Sequence, residues 1–173
     1  MAWRDEERFA EFVQRQSRFV FRLAYAVLRN SHDAEDVVQE VFLKLYRNGM
    51  WEGAHNEKAY LARVAWRTAI DHLPRHPLVD TNETEIASDH PSPEQTALNA
   101  DFQRKVHLLI DGLPEELRHP LALSTIQELT SGEIAQILGI PEGTVRTRAL
   151  RARQLLREKL AALEGRTHAA NHS

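Results

Sequence analysis

Apolar residues recur along this chain at spacings of three and four, the period of a helix with one buried face, and no stretch alternates convincingly as a strand would. From about Glu6 to Asn30 the stripe is Phe9, Phe12, Val13, Val20, Leu23, Ala24 and Val27. Asn30-Ser31-His32-Asp33 predicts a turn whose side chains also cap the second helix. That helix, Asp33 to Arg47, has an unbroken stripe of Ala34, Val37, Val38, Val41, Phe42, Leu45 and Tyr46, and Asn48-Gly49 ends it. A loop from Met50 to Asn56 leads into a third helix, Glu57 to Leu73, stopped by Pro74 and Pro77. Residues 77–95 have almost no apolar period and contain Pro91-Ser92-Pro93, the pattern of a linker.

Helical patterning returns from Glu94 to Gly112. Leu113-Pro114-Glu115-Glu116 then starts a further helix, which Pro120 should kink or divide. Thr130-Ser131-Gly132-Glu133 reads as a capping box opening a short helix to Leu138, ended by Gly139. A final helix runs from Ile140-Pro141 to about Glu164, with a frayed tail over Gly165–Ser173. The expected fold is all-α: two small helical domains, 1–76 and 96–173, joined by a flexible acidic linker over 77–95.

Composition narrows the class. The 173 residues are 42% apolar, enough for packed cores, and contain no Cys, which excludes disulfides and thiolate metal sites. No apolar run approaches the roughly 18–20 residues that span a bilayer, and the polar start Met1-Ala2-Trp3-Arg4-Asp5 has no signal-peptide core. A soluble cytoplasmic protein without membrane insertion is expected. The overall charge of −3 is unevenly placed: Val79 to Asp101 is net −6, whereas Pro141 to Leu160 is net +4. An acidic middle and a basic helix near the end point to a local DNA-facing surface.

Thr130 to Arg153 carries the strongest motif. A short capped helix, a Gly-containing turn and a basic second helix make a helix-turn-helix. Ile134, Ala135, Leu138, Ile140 and Val145 supply its small core; Val145, Ala149, Ala152, Leu156 and Leu163 share the inward face of the last helix. Arg146, Thr147, Arg151 and Arg153 point elsewhere, where they can reach base edges and phosphates of a major groove. Arg148 lies nearer the inward face. A second candidate surface is the polar side of the Asp33–Arg47 helix, where Asp36, Gln39, Glu40 and Arg47 surround Leu43. Such a Leu is either an incidental exposed side chain or a binding hot spot, and the wheel alone leaves both readings open.

The stretch Asp33-Ala34-Glu35-Asp36-Val37-Val38-Gln39-Glu40-Val41-Phe42-Leu43-Lys44-Leu45-Tyr46-Arg47 resembles the region 2 signature of bacterial extracytoplasmic-function sigma factors. Leu61-Ala62-Arg63-Val64-Ala65 and Ala69-Ile70-Asp71-His72-Leu73 resemble the family's next helix. Leu113-Pro114-Glu115-Glu116-Leu117-Arg118, Glu133-Ile134-Ala135-Gln136-Ile137-Leu138-Gly139-Ile140 and Gly143-Thr144-Val145-Arg146-Thr147-Arg148 with Arg151-Ala152-Arg153 resemble region 4. The two motif sets stand in the family's order and cover about residues 6–75 and 95–162.

The resemblance implies an alternative sigma factor that binds core RNA polymerase, through its largest and second-largest subunits, and brings it to promoter DNA. Region 2 would dock through Asp36, Gln39, Glu40, Leu43 and Arg47. The loop and third helix would open and read the −10 element, with Trp51, Tyr60 and Trp66 as aromatic platforms and Lys58, Arg63 and Arg67 as phosphate partners. Each aromatic has core packing as an equal alternative. A flipped base would need a pocket built by the Asn48–Asn56 loop. Region 4 would read the −35 element with Glu142, Thr144, Arg146, Thr147, Arg151 and Arg153. The acidic linker would thread towards the RNA exit path, and an anti-sigma protein would hold the factor inactive. Where the family often has Arg-Asn, this chain has Trp66-Arg67, and the basic run after Asp71 is thinned to Arg75; both departures bear on −10 preference.

Nothing points to an enzyme, a metal or a cofactor. His72 and His76 straddle Pro74, and His168 and His172 lie in the tail, so the nine His residues form no ligand set. Glu6-Glu7 and Glu115-Glu116 sit at helix starts, where the dipole favours them. No phosphate loop or nucleophile motif is present. Two rivals remain: a sigma-like decoy that binds only an anti-sigma protein, which should have lost the basic recognition surface, and a conventional helix-turn-helix regulator, which would not need the Asp36–Leu43 face.

Overall fold

The computed structural model describes residues 2–53, 56–73, 93–126 and 128–171. Among them lie seven helices and no strand: α1 Ala2–Leu28, α2 Ser31–Asn48, α3 Glu57–Asp71, α4 Pro93–Asp111, α5 Glu115–Ser124, α6 Ser131–Leu138 and α7 Glu142–Ala170. The chain divides into two compact units, Met1–Glu83 and Thr84–Ser173.

In the first unit, α1, α2 and α3 pack pairwise into a bundle. Their shared core joins Val20, Leu23, Val37, Val41, Leu45 and Leu61 to Ala24, Ala34, Ala62, Ala65 and Ala69, all almost fully buried. The small alanines let the helix backbones approach closely, and the branched and Leu side chains fill the remaining space. The boundaries follow from local chemistry. Arg29 takes a left-handed φ of 54°, which stops α1 one residue short of the expected turn. Asn30 then caps α2, its side chain accepting from the Asp33 N–H at 3.0 Å. Gly49, at φ 60°, closes α2 in the left-handed conformation that glycine adopts without penalty. Asn56 caps α3 through the Ala59 N–H. α3 ends at Asp71, two residues before the expected Leu73: the His72 N–H is shared between the Thr68 and Ala69 carbonyls and the Leu73 N–H turns back to Ile70, the tighter i→i−3 pattern of a last turn.

In the second unit, α5 and α6 pack on α7 and on each other, and α4 packs on α7. Leu113, Leu117, Leu121 and Ala152 form one core cluster, with Leu155 and Leu156 against it, and Leu123, Ile134 and Val145 are buried as well. Pro120 neither divides α5 nor breaks it: it is buried in the middle of the ten-residue helix. The capping box is present in both directions, Thr130 Oγ1 accepting from the Glu133 N–H and the Glu133 carboxylate from the Thr130 N–H. Gly139, at φ 67°, ends α6.

Two expectations for the last helix are corrected. α7 continues to Ala170 instead of fraying after Glu164, and Leu163, expected on the inward face, is 36% exposed. α5 has 10 residues and α7 has 29, roughly 15 Å against roughly 44 Å at the usual helical rise. α7 therefore outruns α5, one of the three helices packed on it. α4 begins at Pro93, inside the stretch expected to be linker; residues 74–92, which hold most of that stretch, lie outside the described residues.

Candidate docking and nucleic-acid surfaces

The polar face of α2 emerges as expected in part. Asp36, Gln39 and Arg47 are exposed, and Leu43 is 52% exposed in their midst. Leu43 does not stand alone. It forms one wall of an apolar groove of about 620 Å³ between α1 and α2, lined also by Phe9, Ala10, Val13, Val38, Phe42 and Tyr46, with Glu6 and Gln39 at its edges. Tyr46, expected in the core stripe, is 51% exposed and leans on Phe9, ring centroids 5.0 Å apart. The groove was missed in the sequence because it needs two helices side by side. Its trace there was Phe9 and Val13, apolar at a four-residue interval on the first helix. Glu40 is no free carboxylate: it pairs with Lys44 at 2.8 Å and with His72. These bonds, that from Lys44 first, hold its carboxyl below the usual Glu range.

The Met50–Gly53 loop is tied to α1. Trp51 is half-buried against Phe9 at 5.2 Å and Phe12 at 5.8 Å, with the Arg8 guanidinium 5.9 Å from its ring. Arg8 also bridges to Glu52 at 2.8 Å, and Arg15 and Gln16 both donate to Glu57. A cavity of about 240 Å³ lies between α1 and this loop, lined by Arg8, Glu11, Arg15, Trp51, Glu52 and Glu57 among others. Tyr60 is half-buried with its hydroxyl 3.9 Å from the Met50 sulfur; Lys58 is half-buried, and Arg63 and Arg67 are exposed. Trp66 is different: it is 8% exposed, in the core of the bundle. That burial favours the packing alternative for Trp66 over a stacking platform.

In the second unit the exposed side of α7 carries Arg146, Thr147, Leu150, Arg151 and Arg153, while Val145, Ala149 and Ala152 are buried. Glu142 pairs with Arg146 at 2.9 Å, Thr147 donates back to the Gly143 carbonyl, and Arg153 donates to Ser124 Oγ at 3.1 Å. Thr144 is half-buried. Arg148 is half-buried as well and lies 4.0 Å from Glu116. A cavity of about 570 Å³ beside the start of α7 is lined by Thr144, Thr147, Arg148 and Arg151, with Glu116 and Pro141. No side chain caps the start of α7, so its first N–H groups add to the positive field there. Cations, hydroxyls and a helix start gathered at one surface suit a phosphate backbone. Among the described residues no group of His, Asp and Glu could hold a metal ion, and no helix is long and apolar enough to cross a membrane.

Known proteins share both units. Residues 12–76 match the sigma-70 region 2 family model and residues 103–156 match sigma-70 region 4. The chain is 31% identical over 172 residues to the ECF RNA polymerase sigma factor SigW of Bacillus subtilis, covering 92% of each chain. It is 34% identical over 161 residues to the ECF RNA polymerase sigma-E factor of Escherichia coli, covering 84% of each. Among solved structures it resembles CnrH in complex with the cytosolic domain of CnrY, with a TM-score of 0.64 at 21% identity over 91% of this chain and 90% of that one. It also resembles the sigma factor RpoE of Bartonella quintana, solved with the anti-sigma factor NepR, with a TM-score of 0.60 at 18% identity over 90% of this chain and 98% of that one. With a region 2 bundle and a region 4 helix-turn-helix in one chain, this protein belongs to the extracytoplasmic-function (ECF) RNA polymerase sigma factors.

Proposed function

We propose that the three surfaces divide the work of an alternative sigma factor. The α2 face of Asp36, Gln39, Glu40, Leu43 and Arg47, with the apolar groove beside it, docks on core RNA polymerase through its largest subunit, and further contacts reach the second-largest. An exposed Leu bordering an apolar groove and ringed by polar groups has the anatomy of an interface hot spot. Trp51, Lys58, Tyr60, Arg63 and Arg67 engage the opened −10 strand, and Trp66 supports them from the core. Glu142, Thr144, Arg146, Thr147, Arg151 and Arg153 read the −35 duplex.

The observation that carries this reading is the exposed cationic face of α7 standing on a buried Val145–Ala149–Ala152 seam. A decoy that binds only an anti-sigma protein has no use for Arg146 and Arg151, and those residues favour the DNA-binding reading. Regulation follows the solved relatives that carry anti-sigma partners: an anti-sigma protein covers the α1–α2 groove and denies it to polymerase. A cytoplasmic site of action and the absence of enzymatic chemistry belong to the same proposal. Run-off transcription with core polymerase on genomic fragments tests it. Initiation at defined start sites only when this chain is added is expected; no added initiation would overturn it.

A further inference from the structure

Glu40 lies in the face proposed for polymerase docking, yet both of its carboxylate oxygens are engaged within the domain. Lys44 Nζ reaches Oε1 at 2.8 Å, and His72 Nε2 pairs with Oε2. Lys44 also donates to Thr68 Oγ1 at 3.4 Å, and that hydroxyl donates to the Val64 carbonyl at 2.8 Å. Thr68 is 2% exposed, so the cluster is rooted in the packed seam between α2 and α3.

Its purpose is poorly explained by fold stability. The Glu40, Lys44 and His72 side chains keep a third or more of their surface in water, and exposed ion pairs add little to folding. Orientation is the larger effect. A Glu on a helix surface samples many rotamers and loses them when a partner binds. Glu40 has surrendered that freedom beforehand. A carboxylate has about four acceptor positions, so two remain for an incoming cation.

We infer that His72 and Lys44 are positioning residues for polymerase docking: they fix the Glu40 carboxylate so that its remaining acceptor positions meet a cationic group of the polymerase. The inference rests on the assignment of the Asp36–Leu43 face to polymerase. Lys44 acts from one turn along α2, in the favourable order of acid before base. His72 acts from just beyond the end of α3, so the helix assigned to the −10 element also sets the geometry of the docking face.

The test measures affinity of the full chain for core polymerase, with thermal melting in parallel. Its variants are Glu40→Gln, His72→Ala, His72→Gln, the Glu40→Gln/His72→Ala pair and Leu43→Asp. His72→Ala is expected to weaken docking by about three- to tenfold at an unchanged melting temperature. His72→Gln, which keeps a side-chain donor, recovers most of that loss. The paired variant is weaker by less than the product of the single losses, because His72 acts through Glu40. Wild-type affinity in either Glu40→Gln or His72→Ala overturns the inference. So does a loss that tracks a lowered melting temperature and that His72→Gln does not rescue. The assignment of the face is judged separately by Leu43→Asp: if that variant docks normally, the assignment itself falls.

Discussion

The guanidinium of Arg146 stands 2.9 Å from the carboxylate of Glu142, one turn nearer the start of α7. The pair holds a long cationic side chain over the exposed face of α7. Both groups are largely in water, so the pair itself adds at most about 1 kcal/mol to stability. Its value lies in restricting where Arg146 points. Arg146→Ala should cost about 1–3 kcal/mol of −35 duplex binding and relax preference at one base pair. Glu142→Gln should leave melting unchanged and lower the discrimination between matched and mismatched −35 duplexes. Anisotropy titrations over a salt series check both. A uniform loss for all sequences, with the salt slope reduced by about one unit, would instead make Arg146 a phosphate contact.

Leu43→Asp places a charge at the rim of the α1–α2 groove. The side chain is half in water, so helicity and melting temperature should change little. Core polymerase binding should be lost. Co-elution on gel filtration together with circular dichroism separates this outcome from misfolding.

The two tryptophans of the −10 region should part company. Trp66→Ala empties a core site and should destabilise the first domain by about 3–5 kcal/mol. Trp51→Ala removes a half-buried ring held edge-on against Phe9, at a cost below about 2 kcal/mol. Only Trp51→Ala should yield a well-folded factor that docks on polymerase and fails to open the −10 strand, read by permanganate reactivity of unstacked thymines.

His119 should make the second domain sensitive to acid. It is 7% exposed, and burial pushes its imidazole below the ordinary value of 6.5; the Glu115 carboxylate opposes this and Arg118 adds to it. Well above pH 6.5 the group is neutral in both folded and unfolded chains and costs nothing. Below that value the unfolded chain takes up the proton first. Stability therefore falls as the pH drops from 6.5 towards the folded pKa. Urea midpoints should decline between about pH 7.5 and about pH 5.5, and decline less in His119→Leu, which keeps the volume without the titration. Equal declines in both proteins would show that other groups carry the effect.

Gly139→Ala tests the turn. A Cβ there would meet nothing within 4 Å, so any penalty comes from the backbone at φ 67° alone. A loss of about 1–2 kcal/mol is expected, with −35 affinity at saturating folded fraction unchanged. Chemical denaturation beside DNA titration checks it.

Sequence alone determined the order of the helices among the described residues and several of their caps, though not that α5 runs unbroken through Pro120. Those features are written within a few residues of each other: Asn30 to Asp33, Thr130 to Glu133, Gly139 after Leu138. It also determined the cationic face of α7, since one helix repeats with one period. Tertiary structure decided whatever depends on which helix lies opposite. Trp51 and Trp66 are chemically alike in the sequence, yet one sits on a loop and packs against Phe9 of α1, and the other is in the bundle core. Tyr46 fits the α2 stripe by spacing and is turned outward against Phe9, because the stripe is wider than the surface α1 and α3 cover. The groove beside Leu43 exists only where α1 meets α2, and Glu40 finds His72 across 32 residues of chain. Helical periodicity is a property of neighbours along the chain, whereas burial, grooves and ion clusters are properties of neighbours in space.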